Sequence, residues 1–303
     1  AETLSQNADF ALHHAKEVRR GGHVAFEPGL RTSITRRMGA IRDVDGALAE
    51  GRILVHYQPL VRLATGRIIG LEALARMRLP DGRVVPAGQF HAAFTDHGIA
   101  HRLTDRMMAQ VAADIRAWID RGIDARHVGI NLTSADFRRG DLQPRLEAAF
   151  GEAGVPLRHL VLEVTESVLM GEAGDDFGPA VRRLRERGVL VALDDFGTGY
   201  ASLTHLLSFP VDIIKIDKSF VDRLLVDRPS AAIVEAMIDL ARKLDMRLVA
   251  EGIEEPAQRR RLEELGCTIG QGFLFARPVP AATATRLLEG GVLPPAVAAG
   301  EAG

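Results

Sequence analysis

The sequence predicts an α/β barrel, and three observations carry that reading. Short apolar strands alternate with helices of ten or more residues, which implies a parallel sheet. About eight strand candidates fall in roughly 240 residues, the size of a TIM-type (β/α)8 barrel. The first two candidates are joined only by a turn around Thr65-Gly66. They are expected to form a hairpin, which makes one strand antiparallel.

Composition supports a globular chain. Of 303 residues, 47% are hydrophobic and 26% charged, enough to bury a full core. The net charge of −2 argues against a broad DNA or RNA footprint and against a polybasic membrane patch. No apolar run reaches the roughly 18 residues of a membrane helix. The single cysteine, Cys267, excludes an internal disulfide and a cysteine-cluster metal site. Lys16, Lys215, Lys218 and Lys243 are the only lysines among 38 basic side chains; the rest are arginine. A lysine is therefore more informative here than usual.

The elements follow in order. Residues 1–20 read as a helix with Ala8, Leu12 and Ala15 on one face. Gly21-Gly22 stops it, and His23 to Phe26 form a short strand. A second helix carries Leu30, Ile34, Met38, Ile41, Val44 and Leu48 as an apolar stripe and stops at Gly51. Strands are expected at 53–58, 68–75, 127–133, 159–165, 189–194, 212–217, 247–251 and 268–274. The clearest helix between them aligns Ile99, Leu103, Met107, Val111, Ile115 and Trp118. Another, over 230–244, turns Ile233, Met237, Leu240 and Leu244 inward. The last residues, rich in Ala, Gly and Pro, read as a frayed tail.

Polar residues sit within or at the end of each strand: Glu72, Asn131, Glu163, Asp194 with Asp195, Lys215 with Asp217, Glu251 and Gln271. Burying a charge there is costly unless it is paired or binds metal. In a barrel the strand C-terminal ends converge on one face, which carries the active site. Five carboxylates and an amide oxygen suit hard cations such as Mg²⁺ or Mn²⁺. One divalent ion cannot neutralise five carboxylates, so the set implies two ions. Adjacent aspartates let one bridge both ions and the other bind only the second. Two ions about 3.5–4 Å apart hold the attacking and leaving oxygens of phosphodiester hydrolysis. Lys215 would position or activate the water and offset phosphate charge, and Arg76 could hold a phosphate oxygen. Taken singly, each acid has a plainer role as a helix cap or ion-pair partner; the coincidence across strands carries the functional reading. His56, His97, His101 and His205 share no zinc-site spacing and read as surface or capping residues. The Gly197–Gly199 turn lacks the third glycine of a dinucleotide site.

These residues resemble the EAL-domain cyclic-di-GMP phosphodiesterases of bacterial signalling. The matching motifs are HYQP (56–59), EALAR (72–76), NLT (131–133), EVTES (163–167), DDFGTGYAS (194–202), KID (215–217), EGIE (251–254) and QGFLFARP (271–278). The resemblance implies a modified TIM barrel with one antiparallel strand over residues 41–290. It implies hydrolysis of cyclic-di-GMP to linear pGpG with two divalent cations, Mg²⁺ or Mn²⁺. By it, the metal ligands are Glu72, Asn131, Glu163, Asp194, Asp195 and Glu251. The catalytic set is Lys215, Glu72 and Glu251, with Lys215 assisting the water. Gln58, Leu74, Arg76 and Gln271 fall on substrate contacts, Gln271 beside the metals. Glu166 and Glu254 are loop or regulatory residues; the loop after Asp195 lies near a dimer interface in the family. Met77, Ala201 and Phe273 depart from the usual Trp, Ser and Tyr, and are expected to alter loop packing or affinity without loss of activity.

Asn7 to Lys16, then Phe26-Glu27-Pro28, are similar to the closing helix and strand of GGDEF diguanylate cyclase domains. Residues 1–40 are thus expected to be a GGDEF remnant with linker, and 291–303 a disordered tail. The GGDEF signature itself is absent, so no cyclase activity is expected. The expected partners are cyclic-di-GMP, a second copy through the barrel, and an upstream GGDEF or sensory domain. The expected location is cytoplasmic, with any membrane anchor in domains outside this sequence. Two alternatives are a non-hydrolysing cyclic-di-GMP receptor and a glycosidase barrel using two carboxylates. The glycosidase leaves Asn131, Lys215 and the paired aspartates without a role.

Overall fold

The computed structural model describes residues 28–96, 98–168, 177–199, 206 and 209–293. The helix expected over 1–20, the strand over 23–26 and most of the GGDEF-like stretch lie outside these residues, as do His97, Ala201 and His205.

The helix Pro28–Ala49 leads into the barrel. Val44 and Ala47 in its last turns are fully buried, but Met38 is 55% exposed and does not belong to a continuous buried stripe. β1 (Ile53–Arg62) and β2 (Ile68–Arg78) form the expected hairpin, paired antiparallel from Ile53↔Met77 onward. Gly66 in its turn has φ +68°, and a Cβ there would lie 2.1 Å from the Leu293 carbonyl oxygen. Leu293 N–H donates to Gly66 O, and Val292 bridges Arg67. Residues 291–293 are therefore ordered, contrary to the expected tail, because the hairpin turn supplies backbone partners. A short β3 (Val84–Pro86) pairs with β2.

β4 (His127–Asn131), β5 (Leu160–Thr165), β6 (Leu190–Phe196), β7 (Ile213–Ile216), β8 (Arg247–Ala250) and β9 (Ile269–Gly270) continue the sheet in parallel from β2. β9 then pairs antiparallel with β1, closing a barrel of eight strands in which β1 opposes both neighbours. The predicted modified TIM barrel is the observed fold. β10 (Val279–Pro280) adds to β1 outside the ring. β3 and β10 were not expected; strands of two or three residues carry no readable periodicity.

Helices pack outside. Ala100–Asp120 buries Leu103, Met107, Val111, Ile115 and Trp118 as predicted. Its Asp114 accepts a hydrogen bond at 2.6 Å from the buried Tyr57 hydroxyl of β1. The helix Arg228–Lys243 is rotated from the expected face. It buries Val234, Met237, Ile238 and Ala241 and leaves Ile233 41% exposed. Its start is set by the Asp227 carboxylate, which accepts from Ser230 N–H, and contact with β7 and β8 then selects the face.

Strand period two turns every second side chain into the barrel. On β4 these are His127, Gly129 and Asn131; on β5, Val161 and Glu163; on β8, Arg247, Val249 and then Glu251. Val161, Ala192, Ile213 and Val249 form a separate apolar layer inside the barrel. Above it, at the strand C-terminal ends, lie the acids.

Candidate active site

Lys215 is the hub, 1% exposed on β7. Its Nζ lies 2.6 Å from Glu163 Oε2, 2.6 Å from Glu251 Oε1, 3.2 Å from Asp194 Oδ1 and 3.5 Å from Glu72 Oε2. Burial alone would lower its pKa. The carboxylates of Asp194, Glu163, Glu251 and Glu72 outweigh that and hold it well above the ordinary lysine value. Lys215 is thus held toward the ammonium form, a hydrogen-bond donor and counter-charge to the acids around it.

Five carboxylates face this one cation, and their titration shows the imbalance. Burial, with Glu72 and Asp194 adding, pushes Glu163 well up although Lys215 opposes. Burial likewise pushes Glu251 up to about 8, and burial with the Asp194 charge takes Asp195 to about 6. Glu72 is held below the usual range. Burial would raise it, but Lys215 and hydrogen bonds from Gln271 (2.6 Å) and Asn131 (3.0 Å) prevail.

Two overlapping groups present oxygens within 4.8 Å of one another: Glu72, Glu163 and Asp194; and Asp194, Asp195 and Glu251. Asp194 belongs to both. A regular strand would point Asp194 and Asp195 to opposite faces. Here the β6–β7 pairing shifts register between Leu193 and Phe196, and Asp195 has φ +54°, so both carboxylates serve one site. The Gln271 amide oxygen is buried with no hydrogen-bond partner. A surplus of buried carboxylates and an orphaned amide oxygen fit divalent cations, and this cluster could hold metal.

The other predicted residues fall around this centre. Gln58 is buried, donating to Ala276 O at 3.0 Å and accepting from Gln271 at 2.8 Å. It stands directly across from Glu72 in the β1–β2 pairing. Leu74 and Arg76 are half-buried on the same face of β2, toward the rim. Glu166 is buried and accepts from Gly197 N–H at 2.7 Å, tying the end of β5 to the loop after Asp195. Glu254 lies outside the cluster, paired with Lys218 at 2.8 Å. His56 is half-buried, with Nδ1 3.4 Å from Pro278 O.

One residue that shapes the site escaped the sequence reading. A Cβ on Gly129 would sit 2.0 Å from Glu163 Oε1, so β4 must carry glycine for the Glu163 carboxylate to lie where it does. The signal was present as a glycine between Val128 and Ile130 inside a strand.

The EAL domain family model matches residues 41–278. The chain belongs to the EAL domain family. It is 36% identical over 278 residues to the bifunctional diguanylate cyclase/cyclic di-GMP phosphodiesterase MucR of Pseudomonas aeruginosa, covering 92% of this chain and 40% of MucR. It is 34% identical over 288 residues to the cyclic di-GMP phosphodiesterase NbdA of the same organism, covering 95% of this chain and 37% of NbdA. The chain therefore spans less than half the length of these curated relatives. Among solved structures, the MucR phosphodiesterase in its c-di-GMP complex superposes with TM-score 0.76 at 35% identity, covering 81% of this chain and 99% of that one. The EAL enzyme Bd1971, in a cAMP- and cyclic-di-GMP-bound form, gives 0.79 at 30% identity, with coverages of 84% and 70%. Of the departures from the usual EAL pattern, Met77 is buried in the core. Phe273 is 45% exposed, with the Arg277 guanidinium 4.1 Å above its ring.

Proposed function

We propose that this EAL domain hydrolyses one 3′–5′ phosphodiester bond of cyclic-di-GMP to give linear pGpG. The observation that carries the reading is the acidic cluster at the C-terminal mouth of an EAL barrel: Glu72, Glu163, Asp194 and Glu251 lie within 3.5 Å of Lys215 Nζ, Asp195 groups with Asp194 and Glu251, and Asn131 donates to Glu72. Relatives named as cyclic di-GMP phosphodiesterases support the substrate. Those six residues would hold two divalent cations, Mg²⁺ or Mn²⁺. The cations would supply positive charge for the phosphate oxygens and lower the pKa of a water molecule.

The remaining work belongs to the side chains. Water oxygen bonds to phosphorus, the bond from phosphorus to the 3′ oxygen breaks, and that oxygen leaves with a proton. Lys215 donates hydrogen bonds and offsets charge at the reacting phosphate. Gln58 holds the Gln271 amide that donates to Glu72, Arg76 at the rim pairs with a phosphate oxygen, and Leu74 packs against the substrate. Glu166 orders the loop after Asp195, and Glu254 holds Lys218 beside Glu251. The stretch before residue 41 is proposed to be the end of a GGDEF domain; the MucR alignment extends beyond the matched EAL residues. A homodimer through the barrel and an upstream sensory domain complete the proposed assembly, in the cytoplasm.

The test is incubation with cyclic-di-GMP and Mg²⁺ or Mn²⁺, with chromatography for pGpG. Product that disappears with chelator and returns with metal is the expected result. Binding without product would instead make the domain a receptor.

A further inference from the structure

The barrel has a second mouth, at the strand N-terminal ends, and its chemistry is the reverse of the first. A cleft of about 480 Å³ opens there, lined by Arg62, Arg126, His127, Arg158, His159 and Arg247. Among the described residues Asp124 is the single acid in its wall, and it is already paired with Arg126 at 3.1 Å. Among the described residues no carboxylate forms an ion pair with Arg62, Arg158 or Arg247, and all three border this one cleft. These converge on a concavity.

The backbone also favours this arrangement. Arg126 has φ +56°, an uncommon conformation for a side chain of its size. It is held there because its N–H donates to Asp124 Oδ1 at 3.0 Å and its carbonyl accepts from His159 Nδ1 at 2.9 Å. That last bond turns His159 Nε2 away from the carbonyl. His127 is held below the ordinary histidine value first by burial and then by Arg247, His159 and Arg126, with Asp124 opposing.

We propose that this N-terminal mouth is a binding site for a small polyphosphate anion, from pyrophosphate up to a nucleotide. Guanidinium groups recognise phosphate oxygens in pairs, and the volume exceeds that of a lone phosphate. The apolar layer of Val161, Ala192, Ile213 and Val249 lies between it and the acidic mouth, and the cavity of about 50 Å³ that touches both His127 and Lys215 is too small to pass a nucleotide, so this anion is not the substrate of the reaction above.

The test is calorimetric titration of the full chain, in chelator, with pyrophosphate, ATP and adenosine. Pyrophosphate and ATP should bind, adenosine should not, and affinity should fall from about 50 to about 300 mM salt. Tighter binding of ATP than of pyrophosphate would assign part of the cleft to a nucleoside. The double variant Arg158→Ala/Arg247→Ala should bind at least about tenfold more weakly. Arg62→Gln repeats the test without touching β5 or β8. Binding that survives these substitutions, or absence of binding below about 5 mM, would overturn the proposal.

Discussion

The two mouths of the barrel share their strands and carry opposite charge. On β8 the inward positions read Arg247, Val249 and Glu251, and on β4 His127, Gly129 and Asn131. Four residues of strand, about 13 Å, take the wall from a basic cleft through an apolar waist to an acidic centre. Charge of one sign is concentrated at each end, while the net charge of the chain is only −2. At the acidic end the charges are buried against one another and around Lys215. At the basic end they stand around open space. Moving carboxylates out of water is expensive without a counter-charge, so the buried end demands cations. The open end tolerates solvent and merely favours anions.

Four substitutions test that contrast, in falling order of effect. Glu72→Gln removes a carboxylate shared by Lys215, Asn131 and Gln271. Turnover of cyclic-di-GMP should fall by roughly a thousandfold while the circular dichroism spectrum stays unchanged. Lys215→Met leaves five carboxylates with no cation of their own. In chelator its unfolding free energy should drop by about 3–5 kcal/mol, and saturating metal should recover part of that loss. Its turnover should fall about a hundredfold; a variant as stable as the parent in chelator would break the account of the cluster. Gly129→Ala forces the Glu163 carboxylate aside, so metal affinity and turnover should each fall by roughly tenfold or more. Arg247→Ala, at the basic mouth, should change turnover by no more than about twofold. A large loss there would mean that the two mouths are coupled through the waist.

Much of this was legible in advance. All eight barrel strands were marked by apolar runs, and the Thr65-Gly66 turn announced the antiparallel one. The strand-end acids were legible too, because a charge at the end of an apolar run has few inexpensive explanations. The burial of helix faces was read less well. Ile233 and Met38 fit an apolar stripe but stand exposed, since periodicity gives a face and packing decides its rotation. The basic cleft went unread because arginine and histidine at strand starts look like ordinary solvated ends. Its residues come from β1, β4, β8 and the turns before β4 and β5, and become neighbours only when the barrel closes.

The sequence by itself determined the alternation of strands and helices, the hairpin, the family motifs and the types of oxygen ligand. Those depend on local pattern and on side-chain chemistry. The tertiary structure decided that Asp194 and Asp195 serve one site, since the register shift beside β7 defeats the alternation that would separate them. It decided that Gln58 holds the Gln271 amide that donates to Glu72, and that Gly129 leaves room for Glu163. It also decided that one end of the barrel is acidic and the other basic. Each of these rests on contacts between residues far apart in the chain, and only closure of the barrel sets those distances.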